Sequence, residues 1–290
     1  MKKTISVKML NTLSKGKEKL SPEAQERIRK YIRSRMDDCD FFIDKSGRGD
    51  VYYTFFGLML SYVFGVKIDC RKARVRLEDN KPDEHDLIHY AAYARSVMVL
   101  DLLEGKSAKL ILSRLFSAET KTLPSFTQYP HGDEYSPYSV FVLLSLSEDF
   151  GLMIENKRHM LERLDLYRVN NGGFSNVTGE ISATVNATAA ALCVRGQLGG
   201  YKINEDVEYL CNLQDKSGGF FAAAQSPVPD LLSTATALFA LSCYRKAPLV
   251  DPCAFIEAHW LDSGGFAPTL FEDKSDVEYT FYGVLALGTC

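Results

Sequence analysis

Acids at the start of apolar segments are the residues of this chain best placed to do chemistry. Asp50, Asp230 and Asp276 each open a nearly uncharged run: DVYYTFFGLMLSYVF, DLLSTATALFALS and DVEYTFYGVLALG. Two residues after the last stands Glu278, at a position where no other copy of the pattern carries an acid. That singular acid makes Glu278 the best single candidate for a general acid. Its plainer alternative is a glutamate exposed at a rim. An aspartate just before a helix caps free N–H groups and meets the positive end of the helix dipole. Recurrence in several copies is what that structural role predicts, and Asp50 and Asp276 are assigned to it.

These acids belong to a repeat. The stretch QDKSGGFFAAAQSPVPDLLSTATALFALS, 214 to 242, places a Gly-Gly-Phe turn, a loop and an aspartate before a small-residue segment. It recurs from 264 as GGFAPTLFEDKSDVEYTFYGVLALG and from 172 as GGFSNVTGEISATVNATAAALCVRG. A worn copy, CDFFIDKSGRGDVYYTFFGLMLSYVFG, begins at 39. Gly219 to Asp230 and Gly265 to Asp276 both span 11 residues, and Asp40 to Asp50 spans 10. Thr54, Ala187, Thr234 and Thr280 are read as one position within the copies. The last three are 47 and 46 residues apart, and Ser139 lies 48 before Ala187. Self-similarity at a fixed period signals a repeat architecture.

Each unit pairs a charged amphipathic segment with a nearly uncharged one. SPEAQERIRKYIRSR carries Ser21 as N-cap and Pro22 at the first helical position, and DPCAFIEAHWL begins alike with Asp251 and Pro252. A helix apolar on most faces is buried on most faces, so the second segment of each unit lies inside and the first faces water. One such pair cannot bury its own apolar face, so neighbours must stack. The two-layer pattern predicts an all-α fold whose stack closes into a ring. Six inner segments are expected near 50–64, 86–103, 136–148, 182–195, 230–244 and 276–289. The charged stretch 69–86 reads as a solvated connection. Nothing else resembles a linker, so residues 1–290 are expected to form a single domain.

The chain has 290 residues, 46% of them hydrophobic, and a net charge of −3. That is ample for a large core, and too little charge to imply nucleic acid or a membrane surface. The start, MKKTISVKMLN, lacks the apolar stretch of a secretion signal, and the longest apolar runs are too short to span a bilayer. Seven scattered cysteines read as free thiols in a reducing compartment, which predicts a cytoplasmic protein. The NVT and NAT triplets at 176 and 186 are then chance matches to a glycosylation sequon.

LQDKSGGF, the loop, the aspartate and the small-residue helix together resemble the repeat of protein prenyltransferase β-subunits and squalene–hopene-type cyclases. The resemblance covers nearly the whole chain and is weakest at 65–120. It implies an α/α toroid of about six helical hairpins, with an inner ring of helices around an apolar cavity. The prenyltransferases carry Asp-x-Cys-x-Ser and Asp-x-x-His-Thr, whose aspartate, cysteine and histidine hold a catalytic zinc. Here those stretches read Asp230, Leu231, Leu232, Ser233, Thr234 and Asp276, Val277, Glu278, Tyr279, Thr280. Only Asp230 matches a ligand. Leu232 stands for the thiolate and Tyr279 for the imidazole, so neither zinc nor any other cofactor is expected. The loop before Asp230, FFAAAQSPVP, lacks the family's diphosphate-binding cations, and about Ala183 replaces its histidine. The cyclases' Asp-x-Asp-Asp motif has only DDCD, Asp37 to Asp40, to answer it, at the wrong end of a pair, where a solvated turn is the better reading.

The family places its functional side chains two and three positions after the aspartate slot. The resemblance therefore implies a rim of Tyr52, Tyr53, Tyr138, Asn186, Ser233, Glu278 and Tyr279, with His89 near the family's arginine. Asp230 and Glu278 are its candidate catalytic residues. Aromatic faces suit an apolar ligand or a carbocation. Alternatively the tyrosines fill the funnel with their hydroxyls reaching water. Two functions stay open. One is an isoprenoid-handling enzyme that transfers or cyclises a prenyl chain without zinc. The other is a non-catalytic toroid that binds an apolar molecule or a protein partner. The family's prenyltransferases work with a helical partner subunit. His131 and His259, the nearby histidines, are placed on a loop and an outer helix.

Overall fold

Each inner segment becomes a helix because an oxygen-bearing side chain caps it and its small, apolar residues tolerate burial on every side. The computed structural model describes residues 3–83, 86–106, 136–152, 156–170, 172–200 and 204–290. The fold is all-α apart from a two-residue antiparallel pairing, Phe220–Phe221 with Pro229–Asp230. Twelve α-helices lie among the described residues. Six follow the expected inner segments: α3 (Val51–Phe64), α5 (Leu87–Leu103), α6 (Pro137–Phe150), α8 (Val185–Leu198), α10 (Leu231–Cys243) and α12 (Val277–Leu287). The other six are α1 (Ile5–Lys19), α2 (Pro22–Ser34), α4 (Cys70–Asp79), α7 (Lys157–Leu164), α9 (Asn204–Asn212) and α11 (Cys253–Ala258).

The inner helices pack in chain order: α3 on α5, α5 on α6, α6 on α8, α8 on α10 and α10 on α12. Helix α12 also packs on α3. Outside them, α2 lies on α3, α4 on α5, α7 and α9 on α8, and α11 on α12. Ser21 caps α2 as expected, whereas α11 begins only at Cys253, whose N–H donates to Asp251. Two helices go beyond the sequence reading. The charged stretch 69–86 contains α4, capped by Asp69 and buried through Ala73 and Leu77, rather than a solvated connection. Helix α1 crosses the C-terminal ends of the inner helices. Its Lys17 ammonium donates to the Val63 carbonyl, the Ile5 N–H to Glu148, and Lys8 to Gln197.

One hydrogen-bond relay recurs in four units. The turn phenylalanine N–H donates to a threonine hydroxyl, and that hydroxyl donates to the carbonyl of the N-cap residue. The triads are Phe42, Thr54 and Asp50; Phe174, Thr188 and Thr184; Phe220, Thr234 and Asp230; and Phe266, Thr280 and Asp276. This corrects the expected register of the third copy. Its repeat position is Thr188 rather than Ala187, and its cap is Thr184, one residue beyond Ala183. Alanine has no hydroxyl with which to serve the relay.

The relay threonines are fully buried. Thr234→Val keeps the shape and leaves the Phe220 N–H without a partner. The expected cost is about 1–3 kcal/mol, the penalty of an unsatisfied buried donor, read from the denaturant midpoint. A change below about 0.5 kcal/mol would show that the relay is geometric coincidence. Among the described residues, no helix is long and apolar enough to cross a membrane.

Candidate functional site

The N-caps set the site. Asp50, Ser136, Thr184, Asp230 and Asp276 accept the N–H three residues ahead at 2.8–3.3 Å. That bond fixes the first turn of each inner helix. The residue two after each cap then faces one shared cavity: Tyr52, Tyr138, Asn186, Leu232 and Glu278. Deeper layers follow one and two turns on. Ala190, Thr236 and Tyr282 lie four residues after Asn186, Leu232 and Glu278, and Cys193, Phe239 and Leu285 lie seven after them. Met9 of α1 contributes from the closed end. The cavity measures about 290 Å³, close to the lower end of the ~300–1,000 Å³ typical of small-molecule pockets.

Among the described lining residues, Glu278 is the sole charged side chain. Its Oε1 accepts the Tyr52 hydroxyl at 2.8 Å. Burial raises the Glu278 carboxyl above its ordinary pKa, and the Tyr52 hydrogen bond only partly opposes this. Burial likewise pushes the Tyr52 and Tyr282 phenols upward. Lys45, a cation that acts on the Glu278 carboxyl, is paired with Asp276 at 3.7 Å and lies over the Tyr279 ring. Polar order continues at the mouth. The Thr236 hydroxyl donates to Asn186 at 2.7 Å, and the Tyr138 N–H donates to Asn176 at 3.1 Å.

The structure thus brings Tyr52, Tyr138, Asn186 and Glu278 together and leaves the other proposed residues outside the lining. Tyr53, Ser233 and Tyr279 lie three residues after their caps, a full 100° further around the helix. Ser233 is fully buried, and burial first pushes the Tyr279 phenol up to about 12. Asp230 caps α10, with its carboxyl raised by burial. His89 pairs with Asp86 at 2.7 Å, and its ring centroid is 6.2 Å from that of Tyr52. Buried His259 donates from Nδ1 to the Phe255 carbonyl, with its pKa lowered by burial. His131 lies outside the described residues. Asp37, in the DDCD stretch, accepts the N–H groups of Cys39 and Phe41 within a turn.

Sequence reasoning missed Asn176, Phe141, Thr236, Phe239 and Tyr282. Counting four and seven residues onward from Leu232 and Glu278 would have found the last three. Among the described residues, no group of three histidine, cysteine or acidic side chains is arranged to hold a metal ion. Comparison of the chain with models of known families finds no match, and comparison with curated proteins finds none.

Proposed function

We propose that this chain is an α/α toroid of the kind found in prenyltransferase β-subunits and terpene cyclases, and that it holds an isoprenoid or other apolar molecule in its central cavity. The observation that carries this reading is the cavity itself, which five inner helices line at equivalent positions. The return packing of α12 on α3 supports the closed ring. Phe141, Phe239, Leu232, Leu285, Ala189 and Ala190 give apolar walls. Removing apolar surface from water contributes about 25 cal/mol per Å², so a short prenyl chain binds here without a phosphate anchor. Glu278 is the group placed to exchange a proton with that ligand, and no step requires zinc.

The test is a side-by-side titration of geraniol and geranyl diphosphate. Geraniol is expected to bind at least as tightly. A diphosphate more than about tenfold tighter, 1.4 kcal/mol, would reveal a phosphate site and overturn the reading. Binding of neither would remove the ligand cavity altogether. Glu278→Gln keeps the shape but cannot exchange a proton. Loss of prenyl turnover with geraniol binding retained would identify an enzyme. A second reading, a non-catalytic scaffold for a protein partner, is favoured by one surface feature. Val177, Ile181, Leu270 and Phe271 stand exposed on the loops that lead into α8 and α12, with Ile181 88% and Phe271 82% accessible.

A further inference from the structure

The charge of the cavity runs opposite to that of a diphosphate site. No lysine, arginine or histidine is found among its described lining residues, and one carboxyl is. Glu278 forms no ion pair among the described residues, because Lys45 lies against Asp276 instead. Its recorded hydrogen bond comes from the neutral Tyr52 hydroxyl. Around it stand the rings of Tyr52, Tyr138 and Tyr282, with Phe141 and Phe239 deeper in. Tyr52 is held edge-on against Phe56, with centroids 5.0 Å apart, so its ring is set before any ligand enters.

A carboxylate and several aromatic faces in a partly desolvated pocket are complementary to a cation with apolar substituents, which meets the acid by Coulomb attraction and the rings through their quadrupoles. An anionic head group would instead lie beside Glu278, with no cation among the described lining residues to offset the repulsion. We infer that the ligand of this cavity is an apolar molecule carrying a single positive charge, an alkyl or prenyl amine or ammonium, seated with its nitrogen at Glu278 and among the tyrosine rings. This inference rests on the apolar-ligand reading above and names the head group that reading leaves open.

Three probes with one shared chain test it: geraniol, geranyl monophosphate and geranyltrimethylammonium, titrated by calorimetry against the whole chain. At pH 8 the ammonium is expected to bind about tenfold or more tighter than geraniol, the factor of one good cation–π or ion-pair contact in a desolvated site, and the phosphate weakest. Glu278→Gln is expected to remove that preference while leaving geraniol affinity within about threefold, since the amide keeps the volume but not the charge.

The pH dependence follows from the raised carboxyl. The quaternary ammonium does not titrate. Its affinity is therefore full above the Glu278 pKa and falls as pH drops through it, because the neutral acid no longer attracts it. The other groups near Glu278 are Tyr52 on α3, Tyr138 on α6, Tyr282, Tyr279 and Asp276 beside it, and Lys45. Arg95 of α5 acts on Tyr138, and the His89 ring lies tilted against Tyr52. If the slope persists in Glu278→Gln, another of these groups sets it and the inference falls. Geraniol bound and the ammonium no tighter would overturn the inference but leave the apolar cavity standing. None of the three probes bound would overturn both. Should Glu278→Gln fail to fold, the order of the three probes on the unaltered protein decides alone: ammonium first sustains the inference, and phosphate equal or first overturns it.

Discussion

Phe220→Ala is expected to lower the stability of the protein by about 3–5 kcal/mol, the usual cost of emptying a buried phenylalanine site. The ring is fully buried at the turn between α9 and α10, and its N–H is tied to Thr234. It belongs to the main apolar core, among closely packed buried side chains that relax only partly into an emptied site. For a chain of this size each kcal/mol moves the melting temperature by about 2–4 °C, which predicts a fall of about 6–20 °C. Phe271→Ala is the control. That side chain is 82% exposed, and its removal should change stability by less than about 0.5 kcal/mol. Equal shifts for both variants would show that the turn phenylalanines do not anchor the hairpins. Phe42, Phe174 and Phe266 fill the same place in their units, so each should repeat the result.

Gly16→Val is the second large effect, and it reaches the cavity. Helices α1 and α12 touch backbone to backbone. A Cβ at Gly16 would stand 2.0 Å from the Val284 carbonyl oxygen, and one at Gly288 would stand 1.9 Å from that of Thr12. No rotamer relieves a clash with backbone, so valine must push α1 away from α12. Overpacking of this kind costs about 1–3 kcal/mol, more where nothing can yield, against less than about 1 kcal/mol gained in helix propensity. Met9 moves with α1, and the cavity loses part of its closed end. The expected outcome is faster proteolysis within residues 5–19, together with weaker geraniol binding. Lys15→Val, on the exposed side of α1, should do neither. Weakened stability with unchanged geraniol binding would mean that α1 buttresses the bundle without closing the cavity.

Much of this architecture is legible in the chain. The 46-residue spacing of Thr234 from both Thr188 and Thr280, the Gly-Gly-Phe turns and the aspartates before uncharged runs locate the inner helices to within a few residues. Each of those signals is local. A turn needs a positive φ at Gly218 or Gly264, and a helix start needs an oxygen to cap it. The third copy slipped by one residue because threonine caps as well as aspartate does, so Thr184 hid the register that Asp230 and Asp276 display. Helix α4 was missed because ten residues with six charges bury only Ala73 and Leu77, and helix α1 because nothing in its repeat-free sequence says what it covers.

The amino-acid sequence by itself determined the period, the helical class, the aspartate caps and the presence of a lone acid at 278. Only the tertiary structure decided which side of each inner helix looks into the cavity. Helices α5, α8 and α10 carry apolar or small residues on nearly every face, so no hydrophobic stripe marks an inward side. The choice between Ser233 and Leu232, or between Tyr279 and Glu278, is a rotation of 100° that only the packing of neighbouring helices settles. Glu278 meets Tyr52 across 226 residues because α12 packs on α3. That contact turns an isolated acid at a helix start into a half-buried carboxyl facing an aromatic pocket.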